Sequence, residues 1–244
     1  MSLLISPPLT DAGSLIETMR AQGYAVFGAE TLAELTHLEL GVLQYFNETW
    51  QDLPADQYLK DGGRYRYRRH SCFIADDESI KQTVHRAHWQ PIAYNALHGG
   101  MERWFEPMSD ELTHHDAWLA LLRAFVQLCH QLKPTPLWYI EAHQFRIDTT
   151  DGIGRPTPEG AHRDGVDFVA VIMIDRQGIK GGETRVFEAQ GSNGQRFTLS
   201  QPWSVLLLND ERVIHESTPI QPLDQMGHRD TLVLTFRQGG FQGG

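Results

Sequence analysis

Three features of the 244-residue chain predict a mainly β, α+β fold. A row of short strand signals crowds into its second half, glycine-rich turns separate them, and amphipathic helical stripes are confined to roughly the first 135 residues. Strands in such a row favour a double-sheet jelly roll, and helices with one apolar face need a sheet to cover. The expected architecture is a double-stranded β-helix, a cupin-like jelly roll with helices packed on its outer face. A single domain over 1–244 is expected, with 1–135 as helical support carrying a few strands and 136–238 as the jelly-roll core.

Taken in order, Thr10 can cap a first helix that runs to Gly23, a residue suited to the left-handed C-cap. Tyr24 to Phe27 reads as a short strand. Thr31 can cap a second helix, with Leu32, Leu35, Leu38, Val42, Leu43 and Phe46 near helical spacing. Arg64 to Arg68 alternates Arg with Tyr at period two, a strand pattern. Ser109 can cap a third helix striped by Leu112, Leu119, Leu122, Phe125, Val126 and Cys129, and Pro134 and Pro136 end it. Strands follow at Trp138 to Ile147, Val166 to Asp175, Glu183 to Glu188, Gln195 to Leu199, Trp203 to Asn209, Val213 to Ser217 and Thr231 to Phe236. On the last strand Leu232, Leu234 and Phe236 share an apolar face for helices. Arg229, Thr231, Val233, Thr235 and Arg237 share a more polar face that can line a cavity.

Bulk properties narrow the function. The hydrophobic fraction of 41% supports a core, and charged residues at 21% are spread along the chain. A net charge of -10 argues against a nucleic-acid partner, which needs a basic face; the one basic cluster, Arg64 to Arg69, is short. The two cysteines, Cys72 and Cys129, cannot build a disulfide framework and fit a reducing cytoplasm. The N-terminal apolar run is too short to span a membrane, and Pro7-Pro8 breaks it. A soluble cytoplasmic protein is expected.

The chemistry concentrates in one pattern. His162 and Asp164 lie two apart, so on a strand they aim at one point, and His215 follows about fifty residues later. Two imidazoles and one carboxylate with open positions form the facial triad of non-haem Fe(II) oxygenases. Three free octahedral positions accommodate a bidentate 2-oxo acid and O2. Arg229 offers a permanently charged planar fork for a distal carboxylate, with Thr231 beside it. Arg237 shares that face but stands by a Gly-rich tail, where a solvated role is expected.

The residues Pro156 to Phe168, with His162-Arg-Asp164 at their centre, resemble the 2-oxoglutarate–Fe(II) dioxygenase superfamily. So do Gly181-Gly-Glu-Thr184, Asp210 to His215 and His228-Arg-Asp-Thr231. The resemblance is narrowest to the bacterial branch containing free L-amino-acid hydroxylases, such as isoleucine hydroxylase, and the biofilm-associated BsmA proteins. It covers Trp138 to Phe236 and loosens before that. It implies His162, Asp164 and His215 as metal ligands, Arg229 as the 2-oxoglutarate arginine, and Thr231 where many members have Ser. It also implies His143 to Ile147 as the first barrel strand. The implied activity is hydroxylation or sulfoxidation of a small molecule with Fe(II), 2-oxoglutarate and O2, a free L-amino acid being the expected substrate. The difficult chemistry belongs to the cofactor, and the protein supplies position and exclusion of water.

An amino-acid substrate needs a cation for its carboxylate, and Arg66, Arg68 and Arg146 are candidates, the cluster being expected at the cavity mouth. Asp167 or Glu141 are candidates for its ammonium group. Asp210 and Glu216 stand near enough in sequence to orient the imidazoles. His85, His88, His114 and His115 read as surface histidines. Alternatives on the same scaffold are a Zn or Mn isomerase or hydrolase, or a non-catalytic stress or biofilm ligand-binding protein.

Overall fold

The computed structural model describes residues 4–243. Helix α1 (Leu15–Gln22) precedes β1 (Tyr24–Phe27), followed by α2 (Ala29–Thr36), α3 (Leu40–Tyr45) and a 3-10 turn at Phe46–Trp50. Next come β2 (Arg66–Ala75), β3 (Ile80–Gln82), the one-turn α4 (Asp110–Thr113) and the long α5 (Asp116–Leu132). The second half holds β4 (Trp138–Asp148), β5 (Phe168–Gln177), β6 (Ile179–Gly181), β7 (Thr184–Glu188) and β8 (Gly194–Phe197). It closes with β9 (Val205–Asn209), β10 (Val213–Ser217), β11 (Ile220–Pro222) and β12 (His228–Arg237).

The strands form a jelly roll. The larger sheet runs β1-β9-β5-β12-β4-β2-β3, all antiparallel, and β10-β7-β8 with the pair β11-β6 forms the opposing layer. The face of the large sheet carrying Ile140, Ala142, Leu232, Leu234 and Phe236 is sealed by α1, α2 and α5 in one apolar core. From α5 that core takes Trp118, Leu121, Leu122, Phe125 and Cys129. Each such side chain, once buried, contributes about 1.5–3 kcal/mol relative to exposure. Val169, Met173, Val186, Phe197 and Leu206 fill one end of the space between the sheets. The other end stays open as a cavity, into which Arg229, Thr231, Val233, Thr235 and Arg237 project from β12. The period-two reading of that strand therefore holds on both faces.

The helix ends differ from expectation. The first helix starts at Ser14, not Thr10, because the Thr10 N–H bonds Val26 O at 2.7 Å and keeps that segment extended along β1. Gly23 ends it in the left-handed region as predicted, φ 81°. The second helix is not capped by Thr31: it starts after Gly28 and breaks at His37, whose φ of 56° is left-handed, so one expected helix becomes two. Ser109 Oγ accepts the Leu112 N–H but caps only one turn, and His115 Nδ1 accepts the Ala117 N–H to start α5. The Arg–Tyr strand begins at Arg66 and runs on to Ala75, pairing with β4 on one side and the short edge strand β3 on the other. Among the described residues no helix is long and apolar enough to cross a membrane.

Candidate active site

His162, Asp164 and His215 come together in the wall of the cavity. Their ligand atoms lie within 4.8 Å of one another. His162 Nε2 is 3.8 Å from Asp164 Oδ1, and His215 Nε2 is 3.8 Å from Asp164 Oδ2. His215 sits in mid-β10, but the His-x-Asp segment is not on a strand as expected. It is a loop held by a single two-hydrogen-bond bridge between His162 and His215, each N–H to the other's carbonyl at 3.0 Å. Further fixation comes from Asp210, fully buried, whose carboxylate accepts the backbone N–H groups of Asp164 (2.9 Å), Gly165 (2.7 Å) and Val166 (3.1 Å). At Gly165 φ is 77°, and a Cβ would stand 2.5 Å from Tyr94, so only glycine fits the turn that presents Asp164.

Neither of the two acidic residues near in sequence, Asp210 and Glu216, orients an imidazole. Asp210 holds backbone, and Glu216 accepts from Arg185 Nη1 at 3.1 Å. His162 Nδ1 instead donates to Gly160 O at 2.9 Å, which leaves its Nε2 lone pair facing Asp164. His215 Nδ1 is buried without a partner. Burial pushes the His162 imidazole down, but the Asp164 and Glu159 carboxylates outweigh it and hold it above the usual range. Burial, then the Asp164 charge, raises the Asp210 carboxyl to about 6. His215 is held low by burial and by His162.

Arg229 and Thr231 line the same cavity, 4% and 2% exposed. Burial, with Arg176 adding to it, pushes Arg229 down to about 10, and its Nε has no hydrogen-bond partner. Arg237 is not a solvated arginine: its Nη1 donates to Gly240 O and Phe241 O, tying the C-terminal segment against the cavity. Of the substrate candidates, Arg66 and Arg68 line the wall, 6% and 3% exposed, while Arg64 and Arg69 face outward to Asp151 and Glu106. Two candidates fail. Arg146 lies on the opposite face of β4 and forms a fork with Asp230 at 2.8 and 2.6 Å. Asp167 binds Lys133 Nζ and the Gln238 N–H, outside the cavity.

Sequence reasoning missed Gln90, Asn95 and Arg103, which reach the site from irregular chain between β3 and α4. Gln90 Nε2 donates to Asp164 Oδ1 at 3.1 Å, and its Oε1 accepts from Asn95 Nδ2 and Arg103 Nη2. His88, expected at the surface, is buried and lines the cavity. Gln242 caps the Asp164 and Gly165 carbonyls through Nε2. No periodicity marks these positions; single polar residues in loops carry no spacing signal.

The sequence matches the 2OG-Fe dioxygenase family over residues 47–235. The crystal structure of a BsmA homolog from Methylobium petroleophilum PM1 superposes with a TM-score of 0.93 at 55% identity, covering 98% of this chain and 97% of that one. IDO from Bacillus thuringiensis superposes with a TM-score of 0.76 at 16% identity over 98% of this chain and 100% of that one. The Fe(II)/α-ketoglutarate-dependent dioxygenase TqaL gives 0.72 at 20% identity, 95% and 88% covered. At the identities of the last two the likeness is one of fold. No curated protein sequence matches the chain.

Proposed function

This chain belongs to the 2OG-Fe dioxygenase family, whose members use Fe(II), 2-oxoglutarate and O2, and from that premise we propose that it hydroxylates or sulfoxidises a free L-amino acid. His162, Asp164 and His215 are the proposed iron ligands. The donor set fits: two imidazole nitrogens and a carboxylate, buried or half-buried and with their ligand atoms within 4.8 Å of one another, suit Fe(II). Bound iron with 2-oxoglutarate and O2 supplies the oxidising power and returns succinate and CO2.

The protein's own part is placement. Arg229 provides the buried fork for the distal carboxylate of 2-oxoglutarate, with Thr231 Oγ1 as a further donor on the same strand face. Asp210, Gln90 and Gln242 fix the loop that carries Asp164. The buried walls exclude water from the reacting atoms.

One observation carries the substrate class. Arg66, Arg68 and Arg103 line the cavity, the buried Asp56 carboxylate is ion-paired to the first two, and each guanidinium keeps a buried N–H without a partner: Arg66 Nη2, Arg68 Nε and Arg103 Nε. Buried guanidinium groups left short of acceptors are costly unless an anion arrives. A substrate carboxylate satisfies them. The test is 2-oxoglutarate consumption and succinate release in air with ferrous iron and ascorbate, with a panel of free L-amino acids screened by mass for a one-oxygen gain. Turnover that no amino acid stimulates would reject the substrate class.

A further inference from the structure

A second polar group borders the same cavity, which His88, Glu141 and His143 line and behind which His70 lies. Glu141 and His143 come from β4, His70 from β2 and His88 from the loop before α4, all of them buried. Three imidazoles beside a carboxylate suggest a second metal site, but the hydrogen bonds point elsewhere. His143 Nδ1 is 2.7 Å from Arg68 Nη2. A guanidinium only donates, so Nδ1 accepts and the proton of the neutral ring sits on Nε2. That Nε2–H faces Glu141 Oε2 at 3.6 Å and has no lone pair for a metal. His70 Nε2 and His88 Nδ1 reach the same oxygen at 3.0 and 2.5 Å. A dication here would also stand one imidazole away from Arg68.

The group is instead a braced carboxylate. Burial alone would raise the Glu141 carboxyl, but the surrounding imidazoles outweigh it and hold it well below the usual range. Burial keeps His70, His88 and His143 low; the neutral rings of His70 and His88 donate to Oε2, and His143 faces it from 3.6 Å. Every hydrogen bond to Glu141 ends on Oε2. Among the described residues none reaches Oε1, and Glu141 lines the cavity. Arg68 touches the carboxylate only through His143.

We propose that Glu141 Oε1 receives a primary ammonium group of the substrate and thereby selects amine-bearing over amine-free acids. The inference rests on the amino-acid reading above and names the residue that recognises the amine. An ammonium brings three donors and a full positive charge to a carboxylate whose braces are neutral. A hydroxyl would leave that charge uncompensated. His70, His88 and His143 act as positioning residues that fix the carboxylate rotamer. Arg66, Arg68 and Arg103 are then left to take the substrate carboxylate.

The experiment is calorimetric titration of the anaerobic Fe(II)–2-oxoglutarate protein with pooled L-amino acids, then with the tightest-bound member, its deamino counterpart and n-butylamine. Wild type should bind the amino acid about 10- to 100-fold more tightly than the deamino acid, the worth of a charged hydrogen bond. Glu141→Gln should erase that ratio while 2-oxoglutarate affinity stays within about twofold. The wild-type comparison stands without the variant if Glu141→Gln fails to fold. Equal binding of amino and deamino acids by wild type, or an unchanged ratio in Glu141→Gln, overturns the assignment and leaves the amino-acid reading intact. Binding of n-butylamine that Glu141→Gln abolishes, with no amino acid bound, supports Glu141 and overturns the amino-acid reading. Binding of neither overturns both. A second equivalent of Zn(II) or Mn(II) that Glu141→Gln removes would make the group a metal site and overturn the proposal.

Discussion

Replacing Arg229 by methionine separates a residue kept for a ligand from one kept for the fold. Burial pushes this guanidinium down to about 10, still charged at neutral pH, and its Nε is unpartnered. Holding the charge therefore costs the ligand-free protein on the order of 3 kcal/mol. Methionine removes that cost but leaves part of the volume empty, and the two effects oppose. The melting temperature of ligand-free Arg229→Met should be no lower than that of wild type. Cosubstrate binding should move the other way. Losing one side of a buried charge pair costs about 2–5 kcal/mol, so the Kd for 2-oxoglutarate should rise about 30- to 5,000-fold. Anaerobic calorimetry of the Fe(II) protein measures this. 2-Oxobutanoate, which lacks the distal carboxylate, is the control, since its affinity should be similar in both proteins. A 2-oxoglutarate Kd within threefold of wild type would refute the reasoning, as would a ligand-free protein that melts well below wild type.

Further outcomes follow from the same geometry. Asp210→Asn keeps the shape but turns one acceptor into a donor facing backbone N–H; losing at least one charged hydrogen bond of about 1.5–3 kcal/mol should weaken Fe(II) binding about 10- to 100-fold by equilibrium titration. Arg66→Ala should raise substrate KM with little change in the Kd for 2-oxoglutarate; an unchanged KM would remove Arg66 from the substrate wall. Arg146→Gln should lower the melting temperature through loss of its Asp230 fork and leave substrate KM alone. His88 is held at about 4 in the fold against an ordinary imidazole near 6.5, so the unfolded chain takes up its proton first as pH falls. Stability present above about pH 6.5 should then decline towards pH 4, by on the order of 3 kcal/mol from this group; melting temperatures flat from pH 7 to 5 would contradict it.

Local chemistry fixed much of this protein. Strand periodicity placed Arg229, Thr231 and Leu232 on their faces, because successive residues of a strand must alternate. Gly23 ended its helix because few other residues tolerate that backbone. The residue types His, Asp and His at their spacing pointed to ferrous chemistry, and the family match agrees. What pattern could not carry was decided by packing. His162 and Asp164 converge through a bridge and the Asp210 carboxylate rather than through a strand, and Arg146 turned outward to Asp230. Gln90, Arg103 and His88 entered the site from a loop without periodicity, and Glu141 gained its three imidazoles from three separate segments. A pairing between residues far apart in the chain leaves no trace in local spacing. It exists only once the sheet has set which strands are neighbours and which buried charges must find each other.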